Sequence, residues 1–328
     1  MSQSSIEIIQ PGIQSLVQDY PGRQGMQRQG FFPSGAMDYL AMQAANLIVD
    51  NEPSAAGIEI ALGNFSARIE ADTVIAACGA EVELTIDGRP VALWESHRVR
   101  PGSELRVGIA ATTGFRVYLA VAGGIDVPSL FGSRATYTMG GLGGHEGRAL
   151  RAGDCLTLGA TDGGRPGRRF RDEARPQYSR EWEIEAVVGP QAAPDFLTEG
   201  DVSDLFGRRW KVDRNADRTG IRLESHQFAW ARSGGGVAGG HPSNILDNPY
   251  PVGAVNVNGD LPVILGPDGP TAGGFIVAAT VAHAAFWKIG QLRPGGDHLR
   301  FRQVTVEEAA GLEEALRARL SQASVEDA

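Results

Sequence analysis

Three stretches of this chain run from a glycine turn straight into an alternating strand: Val99-Arg-Pro-Gly-Ser-Glu-Leu-Arg-Val107, Leu150-Arg-Ala-Gly-Asp-Cys-Leu-Thr-Leu158 and Leu292-Arg-Pro-Gly-Gly-Asp-His-Leu-Arg-Phe301. Gly accepts positive φ and Pro presets the φ of a turn, so each stretch reverses the chain before a strand begins. Between them, Val82-Glu-Leu-Thr-Ile86, Phe115-Arg-Val-Tyr-Leu119 and Trp182-Glu-Ile-Glu-Ala-Val-Val188 alternate apolar and other residues, the period of a strand with one buried face. The pattern predicts a mainly β chain of two related units, each a barrel or sandwich.

Helices are few. Residues 37–49 place Met37, Leu40, Ala41, Ala44, Leu47 and Ile48 on one stripe, with Ser34 as the upstream cap and Asp38 in the first turn. This predicts one amphipathic helix on a sheet or barrel mouth. Thr305-x-x-Glu308 reads as a capping box for a second helix, which Glu313 and Arg317 support as an i,i+4 pair. A short third helix is expected at 280–287. A length of 328 residues suggests about two domains. The Arg-rich, Pro-punctuated stretch 163–180 lacks apolar periodicity and reads as the linker between them. The first unit is therefore placed at 1–165 and the second, with its C-terminal helix, at 166–328. Residues 321–328 are expected to fray.

A formal charge of −9 argues against a nucleic-acid partner. No 18-residue apolar run and no leader pattern is present, so a cytoplasmic protein away from the membrane is expected. Cys78 and Cys155 lack ligand or redox spacing and read as buried thiols. There is no Gly-x-Ser-x-Gly elbow, no His-Glu-x-x-His and no P-loop, which disfavours serine and metal hydrolases and nucleotide binding; no metal is expected.

The densest polar stretch is 241–275. His241, Ser243, Asn244, Asp247, Asn248, Asn256, Asn258, Asp260, Asp268 and Thr271 sit among glycines and prolines beside the apolar Val263-Ile264-Leu265. Polar loops on a rigid strand are where sites form, and such turns point backbone N–H groups outward. The glycine run 233–240 leads into His241 and reads as a lid, or else as a plain hairpin loop. A second cluster, Asp19, Arg23, Asp38 and Glu59, forms either a charge network facing a substrate or the pins of a turn and a helix start. A third, Gly140-Gly-Leu-Gly-Gly-His-Glu-Gly-Arg148, lets a backbone approach a ligand or serves as a mobile lid, with His145 as a proton-handling group or an exposed loop residue.

Taken in order, Val17-Gln-Asp-x-Pro-Gly-Arg23, Ser34-Gly-Ala-Met-Asp38, Ala122-Gly-Gly-Ile-Asp-Val-Pro128, Leu130-x-Gly-Ser-Arg134, Gly147-Arg-x-Leu-x-x-Gly-Asp154, Gly189-Pro-Gln191, Arg218-Thr-Gly-x-Arg-Leu223, Gly273-Gly-Phe275 and Gly290-Gln-Leu-x-Pro-Gly295 resemble the allophanate hydrolase subunit 2 family. This family corresponds to the A and B carboxyltransferase subdomains of urea carboxylase and urea amidolyase. The resemblance runs from about Ile9 to Val306. Gly143-Gly-His-x-Gly-Arg148, His241-Pro-Ser-Asn-Ile-x-Asp-Asn248 and Gly259-Asp-x-Pro-Val-Ile-Leu-Gly-Pro-Asp-Gly-Pro-x-x-Gly-Gly274 look more like the urea carboxylase branch than the branch serving as a 5-oxoprolinase subunit.

The resemblance implies two cyclophilin-like β-barrel units and biotin-dependent carboxyl transfer to an amide-type nitrogen of urea or a urea-like compound. It implies partners on other chains: a second carboxyltransferase half (the C/D subdomains, allophanate hydrolase subunit 1-like), a biotin carrier and a biotin carboxylase. Biotin attachment needs an exposed Lys between methionines in a hairpin. Only Lys211 and Lys288 are lysines, and neither has a Met neighbour, so biotin is expected to ride on a partner.

For the transfer itself, His241, Asp268 and Asp260 are the candidate catalytic residues, His241 as proton carrier because imidazole ordinarily titrates near neutrality. Asn244, Asp247, Gly269, Thr271, Gly273, Gly274, Arg23, Asp38 and His145 are the candidate substrate-binding residues, with backbone N–H groups near Gly269 and Gly273-Gly274 binding an oxyanion. The alternatives are a subunit of an ATP-dependent 5-oxoprolinase and a non-catalytic binding or regulatory module.

Overall fold

The alternating runs pair into mostly antiparallel sheets in a computed structural model that describes residues 4–161 and 163–328. Contacts divide the chain into two units, one of residues 1–25, 33–178 and 317–328, the other of residues 26–32 and 179–316.

In the first unit one sheet has six strands in the order Cys155–Thr157, Ser5–Pro11, Gly63–Glu70, Ser103–Ile109, Leu84–Ile86 and Arg89–Val91. A second has five, Gln14–Gln18, Gly57–Ala61, Arg116–Val121, Thr73–Gly79 and Ser96–Val99. Both contribute to one apolar core, Ile6, Phe65 and Leu105 from the first meeting Ile58, Ile75 and Leu119 from the second. The outer strands of the six-stranded sheet are three residues long, and Gly153 and Gly88, both at positive φ, turn the chain beside them. Such short edges limit further pairing, and no sheet among the described residues closes on itself.

Helix α1 (Tyr39–Ile48) is capped by Asp38, whose carboxylate accepts from the Ala41 N–H at 2.9 Å, and not by Ser34, which sits at φ 55°. Every residue of α1 is buried. The expected amphipathic helix is thus a core helix, because its polar positions are Gln43 and Asn46, neutral groups that tolerate burial when bonded. Asn46 donates to the Ala55 carbonyl and accepts from Asn51.

The stretch expected to be a linker is built into this unit. Phe170 is fully buried against Trp94, and Arg168–Phe170 pairs with Val325–Asp327, so the tail expected to fray forms a strand. The arginines that hid the pattern are consumed locally: Arg168 and Arg165 both engage Asp50. Cys78 is buried as expected, whereas Cys155, on an edge strand, is exposed.

The second unit carries one sheet in the order Trp210–Lys211, His298–Gln303, Glu181–Val188, Ala272–Val281, Ala254–Asn258, Leu261–Leu265 and Gly220–Arg222, with Asn244–Pro249 also pairing Ala272–Val281. Only Glu181–Val188 and His298–Gln303 run parallel. Helix α2 (Glu199–Gly207), not expected from the sequence, starts on a Thr198/Asp201 capping box and docks where the Trp210 indole N–H donates to the Leu205 carbonyl at 2.9 Å. The third expected helix is displaced: the strand continues to Val281, and helix α3 spans Phe286–Gln291. Thr305 and Glu308 make both bonds of the expected box ahead of helix α4 (Val306–Arg319).

Candidate functional site

In the second unit the loop before Asn244–Pro249 fixes one imidazole. The Nδ1 of His241 accepts from the Ser243 backbone N–H at 3.1 Å and lies 2.8 Å from the Ser243 hydroxyl. That hydroxyl accepts in turn from the Gly259 N–H at 3.0 Å, and the acceptors within reach of its own proton are Nδ1 and, farther off, the Asn244 Oδ1. With Nδ1 occupied as an acceptor, neutral His241 carries its proton on Nε2. Ser243 is fully buried and held from both ends, its carbonyl accepting from the Ile276 N–H. The arrangement presents an imidazole N–H donor of fixed direction. Asn244, the next residue, has its Oδ1 3.4 Å from the Ser243 hydroxyl. Asp247 is exposed further along the same strand. Asp260 lies near the turn that supplies Gly259, its carboxylate 3.4 Å from the Phe228 N–H and its carbonyl accepting from the His226 N–H.

Other candidates in this stretch build the scaffold. Asp268 is buried and accepts from Arg218 through both oxygens, at 2.7 and 3.2 Å. The Gly269 N–H is committed to the Gly266 carbonyl, and the Thr271 carbonyl accepts from the Tyr250 N–H. At Gly273 an added Cβ would lie 2.7 Å from the Tyr250 ring, and at Gly274 3.2 Å from the Ile245 carbonyl. These two glycines therefore let Tyr250 and Asn244–Pro249 close onto Ala272–Val281. The Tyr250 hydroxyl accepts from the Phe275 N–H at 2.6 Å and donates to the Phe275 carbonyl at 2.9 Å. Burial pushes this phenol's pKa up. The glycine run 233–240 folds onto itself through Gly235 N–H to the Gly239 carbonyl.

In the first unit, Asp38 and Glu59 are buried in one network. The Tyr118 hydroxyl accepts from the Asp38 N–H at 2.7 Å and donates to Glu59 at 2.9 Å, and Arg116 lies 3.4 Å from the other Glu59 oxygen. The Tyr178 hydroxyl donates to Asp38 at 3.0 Å. Burial drives both phenols far above their ordinary range, which keeps them protonated donors. Asp19 accepts from the Ser133 hydroxyl and from the Arg134 N–H at 2.6 Å, with burial raising its pKa. Arg23 is buried and donates to the Ala135 carbonyl.

The glycine loop 140–148 is packed against this set. A Cβ at Gly143 would collide with the Ala135 carbonyl and the Arg23 guanidinium, and one at Gly144 with the Thr136 hydroxyl, so the glycines serve close contact with the chain itself. His145 lies 3.5 Å from Asp154, which Arg148 binds through both oxygens at 2.7 and 2.9 Å, holding the Asp154 carboxyl down at about 2. Residues 141–147 of the loop line a cavity of about 660 Å³ together with residues 126–130 and 155–157.

A family model described as the carboxyltransferase domain, subdomain A and B, matches residues 29–303. The chain belongs to that family. The urea amidolyase of Saccharomyces cerevisiae is 40% identical over 95% of this chain but only 17% of its own length. The Kluyveromyces lactis urea carboxylase crystal structure superposes with a TM-score of 0.93 at 37% identity, over 99% of this chain and 30% of that one. A 5-oxoprolinase subunit of Escherichia coli is 32% identical over 93% of both chains. This chain is a carboxyltransferase domain homologous to those of urea carboxylase and urea amidolyase, and it spans about a sixth of the length of the first of these relatives.

Several residues of this carboxyltransferase domain are not legible as important from sequence alone. Arg218 belongs to a recognisable motif, but nothing in that motif ties it to Asp268, fifty positions away. Tyr118 and Tyr178 carry the Asp38 and Glu59 network from positions that read as plain strand and linker. Asp201 and Trp230 leave one readable trace each: Thr198-x-x-Asp201 as a capping pattern, and the alternation of His226, Phe228 and Trp230. Lys288 is engaged with the Glu183 carbonyl and Glu185, at 2.8 and 2.7 Å, and Lys211 lies in the sheet.

Proposed function

We propose that this chain is the A/B part of a carboxyltransferase that moves a carboxyl group from carboxybiotin to an amide-type nitrogen, with urea or a urea-like compound as acceptor, and that it works in the cytoplasm with partner chains. The observation that carries this reading is the His241 imidazole held at Nδ1 by the Ser243 N–H and hydroxyl, with Gly259 bound behind them. Bound carboxybiotin would supply the carboxyl group, and the donor set, His241 Nε2–H and the Asn244 amide, fits the oxygens of a carboxylated ureido ring. These two residues would hold it.

An amide nitrogen is a weak nucleophile because its lone pair is delocalised into the carbonyl, so attack needs an oriented acceptor and stabilisation of the oxygen that gains charge. His241 would donate to that oxygen. Asn244, Asp247 and Asp260 would accept from substrate N–H groups, while Asp268, Gly269, Thr271, Gly273 and Gly274 hold the strands in place. Arg23, Asp38 and His145 would fix the loop and helix start they touch in the first unit.

A second carboxyltransferase half, a biotin carrier and a biotin carboxylase are the partners this scheme requires. The test is ATP-dependent incorporation of labelled bicarbonate by the chain assembled with them, using urea, related amides and 5-oxoproline. Urea-dependent incorporation is expected. ATP turnover answering to 5-oxoproline alone would instead favour the reading suggested by the Escherichia coli 5-oxoprolinase relative, which matches this chain along nearly its whole length.

A further inference from the structure

His241 ends a row of rings that begins in the core of the second unit. Trp210, fully buried, meets His226 edge-to-face at 5.7 Å, His226 meets Phe228 at 4.8 Å, Phe228 meets Trp230 at 5.6 Å, and Trp230 meets His241 at 5.4 Å with the two ring planes perpendicular. Residues 226, 228 and 230 share one face because an extended segment alternates its side chains. Edge-to-face geometry places the positive rim of one ring on the negative face of the next, so each ring restrains its neighbour's rotation.

The last link is made in an unfavourable backbone conformation. Trp230 sits at φ 58°, the left-handed region that bulky residues avoid. Asp201 holds it there: one carboxylate oxygen accepts from the Ala229 N–H at 2.8 Å and the other from the Trp230 N–H at 3.1 Å. Burial acts to raise the Asp201 pKa, but these bonds and those from Thr198 hold the carboxyl below its ordinary value, so it stays an ionised acceptor. The Ala231 N–H is bound by the Phe196 carbonyl. Arg232 lies over the Phe196 ring at 4.3 Å and donates to the carbonyls of Pro242 and Asn244, on either side of Ser243. The segment bearing Trp230 and the loop bearing His241 are thus tied together at two points.

We infer that Trp230, held in its left-handed conformation by Asp201, is a positioning residue for the His241 imidazole: Ser243 fixes Nδ1, and the indole fixes the plane in which Nε2–H points. The consequence for turnover rests on the role proposed above for His241; the positioning itself does not. It is tested on the full chain labelled with nitrogen-15 histidine, with His241→Ala identifying the His241 signals. The wild-type chain should show a single Nε2–H tautomer at His241. Trp230→Ala should shift those signals toward tautomer averaging, Asp201→Asn should do so in part, and Trp230→Phe should restore the wild-type pattern.

An unchanged His241 spectrum in folded Trp230→Ala overturns the inference, and because that variant leaves the α2 cap intact the test survives if Asp201→Asn fails to fold. In the assembled enzyme, Trp230→Ala should lower kcat on the order of 10²-fold with little change in KM, the scale of a misplaced catalytic group. A moved spectrum with unchanged kcat upholds the positioning and removes His241 from the transfer step.

Discussion

At the scale of residues, the side chains that read as chemistry divide into those that face outward and those spent on each other. Asp268 and Arg218 are both almost wholly buried and satisfy one another through two bonds. Breaking a buried pair of this kind by removing one partner costs roughly 3–5 kcal/mol. Asp268→Ala should therefore lower the denaturation midpoint strongly; loss of activity at unchanged stability would return Asp268 to the transfer step. Asp154 offers a pH test. Its folded pKa, about 2, lies below the unfolded value of about 3.9, so its pairing with Arg148 stabilises fully above that unfolded value and is lost as pH falls toward 2. The stability gap between wild type and Asp154→Asn, measured by denaturant titration, should be constant from neutrality to about pH 4 and shrink below it. A gap that persisted at pH 2 would contradict that pairing. Residue types mark these acids as important, yet their roles depend on partners fifty or more positions away or on local bonds that residue types do not specify.

At the scale of elements, turns and caps were the legible part. The Thr305/Glu308 box and the strands after the three glycine turns formed where expected, since both are set by residues within a few positions. Helix α1 was legible in place but not in environment. Its cap moved to Asp38, and its polar face is buried, with Asn46 bonded to the Ala55 carbonyl and Asn51 in place of solvent. Asp38→Ala should cost about 1–2 kcal/mol from the lost cap alone, with more from the lost Tyr178 bond, read as a lower thermal midpoint. Unchanged stability would mean that Asp38 does not start the helix. The strand of residues 168–170 was unreadable because its partner, residues 325–327, lies at the far end of the chain and its arginines mask the apolar Phe170.

At the scale of the whole molecule, the mainly β character and the family were readable from the ordered motifs, and the carboxyltransferase A/B match covers most of the chain. Contacts place most of the stretch read as a linker, residues 163–178, within the first of two units. What the motifs did not disclose is how the His241 loop is held, because Gly259 and Trp230 converge on its Ser243 and His241 from two other segments. The most direct measurement is transfer of labelled bicarbonate to urea by the assembled enzyme carrying His241→Ala in this chain. Loss of an oriented donor predicts a fall in kcat on the order of 10²–10³-fold, with assembly and ATP-dependent carboxylation of the biotin carrier intact. Undiminished transfer to urea would contradict the account.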